Sequence, residues 1–324
     1  MAEDVLRFAG VPADRLDGDA AKLAIARDHW YADWADALAH GNEPVDTRFE
    51  AAADAVHAGD LGTLRRLLDA HPALITAPSP FPHRQTLLHY VAANGVEVER
   101  QQRSPANAVE VLRLLLARGA DPDATCASYG GGMTTLCLLV SSAGPAAAGV
   151  DAALVEELCR GGAGPDGIDE DGRPLWTAIT SGHTAAAEAL ARSGARVDNL
   201  CFAAALGELD QVRRYIEDGI TPPERMGARG PRLAPQRAVE YALIWAAAHD
   251  RRAVARFLLG KNPDLRFTEP LFGATALGAA RYHGNREMAA LLEAHTGRLR
   301  FTHPARNTVP RPRAPRPPPA DPSR

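Results

Sequence analysis

Lysine is almost missing from this chain. Lys22 and Lys261 are the two there are, and arginine supplies the rest of the 36 basic residues. Against 40 acidic residues this leaves a formal net charge of −4, small for 324 residues. No field that gathers a polyanion follows from it, so nucleic acid is not an expected partner. A basic composition this skewed fits a GC-rich bacterial genome, which weakens any functional reading of an arginine cluster. Aromatic residues are also scarce, at 6% against 46% hydrophobic overall. Thin helical layers packed through Ala and Leu suit that balance better than a thick aromatic core. The four cysteines, Cys126, Cys137, Cys159 and Cys201, fall at no paired metal-ligand spacing. Neither zinc nor a disulfide framework is expected. No run approaches the ~20 apolar residues that a bilayer crossing needs. The opening Met1-Ala2-Glu3-Asp4-Val5-Leu6-Arg7 lacks the basic flank and apolar stretch of a secretion signal. These absences predict a cytoplasmic chain with no membrane partner.

What is there is organised around residues 86–121. Thr86-Leu87-Leu88-His89-Tyr90-Val91-Ala92-Ala93-Asn94-Gly95 predicts a helix that is small and apolar along one side and stops at Gly95. After an interruption, a second helix is apolar at Val109, Leu112, Leu115 and Leu116 and ends at Gly119, a residue free to take the left-handed conformation. Neither helix has enough apolar surface to stand alone, but stacked copies would bury those faces against one another. The copies exist. Gly182 to Gly194 and Gly207 to Gly219 both span twelve residues. Further copies lie at 49–68, 242–259 and 275–292, with a looser one at 134–163, for about seven units.

Thr86-Leu87-Leu88-His89 and Leu115-Leu116-Ala117-Arg118-Gly119-Ala120-Asp121 resemble the opening and the close of the ankyrin repeat. The resemblance covers roughly residues 47–297. It implies an all-α, ankyrin-type solenoid of about seven helix-turn-helix repeats, with fingers and first helices lining a concave face. Residues 1–46 read as an N-terminal helical cap, with Asp33 as the N-cap of a helix through Trp34 and Leu38. Trp30, Tyr31 and Trp34 are then a seal over the first repeat, or else an exposed recognition patch. The opening and the long inserts resemble those of a group of bacterial ankyrin-repeat proteins, a resemblance that carries no activity with it. Residues 298–324, with Arg311 to Pro319 dense in Pro and Arg, read as a disordered tail that could also serve aromatic grooves.

The connectors depart from the repeat in informative ways. The first finger, 78–84, has about three extra residues and puts Phe81, His83 and Arg84 near its tip. The insert 96–108 is polar and mixed in charge. It is expected to leave from the end opposite the fingers, as an extension of the helix pair rather than a binding arm. Cys126-Ala127-Ser128-Tyr129-Gly130-Gly131-Gly132-Met133 resembles a phosphate-cradling loop, but no strand is expected before it and no Gly-Lys-Ser/Thr follows. A long finger presenting Tyr129 is the better account. Unit five has no finger, since Asn199 follows unit four at once. Loop 221–237, with Arg225, Arg229, Arg232 and Arg237, could fold over the resulting notch.

Eleven histidines invite a search for catalysis. His89 and His183 fall where the repeat itself uses histidine. His249, Tyr282 and His283 fall at the two variable positions that face the groove, as do Asn94, Ser141 and Ser142. His249, His283, Tyr282 and Asn94 belong to layers several repeats apart and are not expected to converge on one point, whereas acid–base catalysis needs its groups within hydrogen-bond reach of one atom. No motif names a cofactor, and none is expected. The sequence therefore predicts a non-catalytic, monomeric scaffold that binds a protein partner through groove and fingers. Its candidate contacts are Phe81, His83, Arg84, Asn94, Tyr129, Met133, Arg173, His249, Phe272, Tyr282 and His283. The competing expectation is a small-molecule binder or enzyme with a pocket under loop 221–237, drawing on Trp176, Trp245 and His249.

Overall fold

The structure, a computed structural model, describes residues 17–28, 31–41, 45–97, 100–217, 232 and 234–302. Two helices, α1 (Gly18–Asp28) and α2 (Trp34–His40), precede the first repeat. Unit one is α3 (Thr47–Ala58) with α4 (Leu61–Ala70), and unit two is α5 (Leu87–Tyr90) with α6 (Ala108–Ala117). A two-residue hairpin, β1 (Thr125–Cys126) and β2 (Met133–Thr134), leads into α7 (Thr135–Leu139) of unit three. That unit is interrupted by α8 (Ala143–Ala148) and completed by α9 (Asp151–Arg160). Units four and five are α10 (Arg173–Thr180) with α11 (Thr184–Arg192), and α12 (Leu200–Leu206) with α13 (Leu209–Glu217). Units six and seven are α14 (Ala238–Ala248) with α15 (Arg252–Leu259), and α16 (Ala276–Tyr282) with α17 (Arg286–Thr302).

Local chemistry explains where these helices begin and end. The side chain of Asn199 accepts from Phe202 N at 2.9 Å, that of Thr275 from Gly278 N at 3.0 Å, and that of Asp60 from Thr63 N at 2.9 Å. Each satisfies a donor that the first helical turn leaves open. At the other end, Gly59 and Gly207 take φ of 69° and 84°. Side chains with a Cβ resist that conformation, and it turns the chain sharply into the next helix.

First helices stack on first helices in the order α3, α5, α7, α10, α12, α14, α16. Outer helices follow suit, α4 on α6, α6 on α9, and α9 on α11. The apolar interior is therefore one continuous seam from Phe49 to Leu292 rather than a central ball. Alanines make the layers thin: Ala203, Ala204, Ala242, Ala246 and Ala247 are all fully buried. A row of ion pairs ties successive outer helices, Asp69–Arg118 at 2.7 Å, Arg113–Glu157 at 3.0 Å and Glu156–Arg192 at 2.8 Å. Exposed pairs of this kind add little stability, so the seam carries the fold. The all-α stack of about seven helix pairs is what the chain builds.

Four details differ from the sequence reading. The insert after Gly95 does not prolong the helix pair: α5 ends at Tyr90, and residues 100–107 fold back along the first helices. The glycine-rich finger is preceded by a strand after all, though a two-residue hairpin arm rather than the strand of a nucleotide-binding unit. Asp33 caps α2 as expected, but α2 buries none of its residues. Trp34 and Leu38 are exposed there, so Trp34 is not a seal. Finally, α17 runs on to Thr302. Trp30, most of loop 221–237 and the tail from residue 303 lie outside the described residues.

Leu115 is fully buried in the seam on α6. Leu115→Ala should cost ~2–5 kcal/mol of unfolding free energy, as truncations of buried leucines do. Urea denaturation of the two chains measures the difference, and a value near zero would mean that units one to three do not pack as described.

Candidate functional site

The concave side is built from the first helices and the fingers between units. On α3, Phe49, Ala52, Ala53 and Val56 face the seam, which leaves Glu50 and Asp54 on the open side. The first finger is closed by Ser79 N donating to Gln85 O at 2.6 Å, and it meets the next finger where Ala127 N donates to His83 O at 2.8 Å. Arg84 is exposed at its tip with φ 54°, and Phe81 is half-buried against the His83 ring. His83 itself is not a surface residue. It is 2% exposed and stacks edge-on with Tyr90, and its Nε2 lies 3.0 Å from Glu97 Oε1 of the insert. Tyr90 donates its hydroxyl to the same carboxylate oxygen.

The second finger holds Tyr129 out, 47% exposed and at φ 52°. Met133, proposed alongside it, is buried and accepts from the Arg173 guanidinium, which also reaches Gly132 O. Asn94 points its amide along the groove to Leu138 O at 2.9 Å and Ser141 Oγ at 3.1 Å, so it joins units two and three. At the far end, Glu269 is buried inside unit seven's finger. Its carboxylate accepts from Leu271 N, Phe272 N and Ala274 N, and this nest holds Phe272 outward at 65% exposure. Tyr282, at the end of α16, is 87% exposed, with the His283 ring packed edge-on against it.

Contrary to the sequence reading, two of the histidines do converge. Unit five has no finger, and side chains of units six and seven reach past it to unit four. His249 Nε2 donates to Ile179 O at 3.0 Å, and its Nδ1 lies 2.7 Å from Thr184 Oγ1. His249 is buried, so it is a stitch between units rather than a partner contact. The His283 ring fills the space beside Gly182, where a Cβ would meet it at 2.3 Å. Gly182 also takes φ 76°, so two independent constraints keep a side chain out. Arg251 completes the join, with Nε donating to Ala205 O at 2.7 Å and the guanidinium paired with Glu188 at 2.6 Å. Among the described residues no group of three His, Cys, Asp or Glu side chains is placed to hold a metal ion. No described helix is long and apolar enough to cross a membrane.

A family model for the ankyrin repeat matches residues 83–127, the segment that runs from the tip of the first finger through unit two to the second hairpin. Residues 83–127 are therefore an ankyrin repeat, set within helix pairs stacked in sequence order. The chain is also similar to the crystal structure of the human ASB11 ankyrin repeat domain, at 20% identity over 74% of this chain and 96% of that one, with a TM-score of 0.42. No curated protein matches it.

The ankyrin histidine at His89 does what its position implied. Its Nδ1 accepts from Thr86 N at 3.1 Å and its Nε2 donates to Met133 O at 3.2 Å, tying a first helix to the next hairpin. Reasoning from sequence missed Gln85, Glu97, Gln101 and Glu269, the polar groups that shape the fingers. Nothing in their spacing sets them apart from solvated residues of the same type.

Burial holds His89 and His249 well below the ordinary histidine value, each at about 4, with the hydrogen bonds to Met133 O and Ile179 O opposing the shift only in part. The sign follows. A base with a depressed folded pKa keeps its full stabilisation above the unfolded value near 6.5 and loses it as pH falls towards 4. Each histidine should remove on the order of 3 kcal/mol across that window. Urea melts at pH 7 and pH 4.5 should show a large loss for the native chain and a smaller one for His249→Gln. An equal loss in both would mean that His249 does not carry the effect.

Proposed function

We propose that this ankyrin-repeat protein is a non-catalytic cytoplasmic scaffold that holds a protein partner against its concave groove and fingers. One observation carries the reading. From the first repeat onward, the large apolar side chains exposed among the described residues are Tyr129, Ile168, Phe272 and Tyr282. Three of them stand on fingers and one at the groove end of a first helix, and none is on an outer helix. Apolar surface left in water on one flank of a rigid scaffold marks that flank for contact, and aromatic anchors supply most of the energy in such interfaces. The buried Glu269 nest strengthens the case, because it orders the finger under Phe272 before any partner arrives. A pocket using Trp245 and His249 finds less support, since both are buried in the packed seam.

Full-length chain used as bait in its native cell extract should retain a partner. Tyr129→Ala, Phe272→Ala and Tyr282→Ala should each weaken that partner by about tenfold or more, the scale of truncating an aromatic anchor. Their thermal unfolding should stay close to that of the parent, because none of the three rings is packed in the seam. Undiminished capture by all three variants would reject the groove as the binding surface.

A further inference from the structure

The groove of units one and two is already occupied, by the chain itself. Residues 96–97 and 100–107 lie over the open side of α3 and against the first finger, where an extended peptide partner would lie. Glu97 takes the hydrogen bonds of His83 and Tyr90. Arg100 pairs with Glu50 and approaches Asp54 at 3.5 Å. Gln101, 1% exposed, donates to Gln85 Oε1 at 2.7 Å, and Gln85 donates in turn to Ser128 Oγ at 3.1 Å. The segment ends where Asn107 donates to Gly59 O at 2.8 Å, in the turn of unit one.

This occupancy is incomplete. Gln101 Oε1, Arg100 Nη1, Glu50 Oε1 and Ser104 Oγ are buried without a hydrogen-bond partner. A small cavity remains between Val56, His57 and Tyr90 on one side and Arg103 and Pro105 on the other. Buried groups left unpaired and voids left unfilled oppose the contact, so a better-matched segment can displace it. The receiving side is well formed by comparison. His83, Gln85 and Ser128 are almost wholly buried, and the last two are joined to each other. Burial alone raises the Glu97 carboxyl, yet the hydrogen bonds from His83 and Tyr90 and the charge of Arg100 outweigh it and leave the group below its usual range. The site thus favours a carboxylate over a neutral group.

We infer that residues 96–97 and 100–107 are an internal occupant of a peptide site, and that the partner segment this site accepts is a peptide anchored by a carboxylate. That peptide presents its carboxylate to His83 and Tyr90, a basic side chain to Glu50 and Asp54, and a carboxamide to Gln85. This rests on the reading of the groove as the partner surface and adds the chemistry of what one part of it takes. Tethering keeps the native occupant at an effective concentration of order mM, so a free peptide must compete with it.

The test removes residues 96–106, so that Gly95 meets Asn107 as Gly182 meets His183 in unit four. The probe is a fluorescent synthetic peptide of residues 95–107, and the control is the same peptide carrying Glu97→Lys, which reverses the anchoring charge. The deleted chain should bind the native peptide at least ~10-fold more tightly than the full chain does, and the charge-reversed peptide at least ~10-fold more weakly than the native one. Binding of neither peptide, or of both alike, by a chain whose circular dichroism remains helical would overturn the inference. Should the deletion fail to fold, the full-length Glu97→Lys, Gln101→Ala chain is read instead, with the same two outcomes. Phe272→Ala and Tyr282→Ala added to the deleted chain should leave peptide binding unchanged. Loss of cellular partner with peptide binding intact is then a failure of this inference's partner class alone, and loss at those aromatics belongs to the wider groove.

Discussion

Everything in this molecule depends on one constraint: no helix pair can hide its apolar face without its neighbours. Leu200-Cys201-Phe202-Ala203-Ala204-Ala205 is buried on every side, although a seven-residue helix offers only two turns. Its cover comes from α10 before it and α14 after it. The small residues that make such close layering feasible also leave little lateral grip, so hydrogen bonds between layers fix the register. His89 to Met133 O, Asn94 to Leu138 O and His249 to Ile179 O are three versions of that device. Each ends on a backbone carbonyl at or near a first helix of another unit.

Periodicity made the stack legible before any coordinates. Glycine rulers, Leu-Leu pairs and the Thr86 opening located all seven helix pairs, because a repeated fold repeats its local signals. Leu115 and His89 are found where that pattern places them. Legibility ended where the pattern broke. Insert 96–108 carries no period, and its path is set by Glu97 and Gln101 finding buried partners on a finger distant in sequence. Its place between the two helices suggested an extension of the helix pair. His249 and His283 were misjudged for a related reason: counting layers assumes equal layers, and a unit with no finger lets side chains of the units beyond it reach the unit before it.

The candidate contacts divide along the same line. Tyr129, Phe272 and Tyr282 stand on connectors or helix ends, where position in the repeat predicts exposure well. His83, Met133 and His249 occupy equivalent positions in the pattern but were taken inside by local contacts that no repeat template contains. A template says which way a residue starts out. What the residue meets there decides whether it stays in water.

The join across unit five also bears on how such an array can change its length. Tandem repeats usually gain or lose whole modules by duplication and deletion, since each module needs only a neighbour of the same shape. Here the ring of His283 lies in the hollow at Gly182, and Arg251 spans from Glu188 to Ala205. Copying or excising a single module between the fourth and the seventh would pull those residues apart.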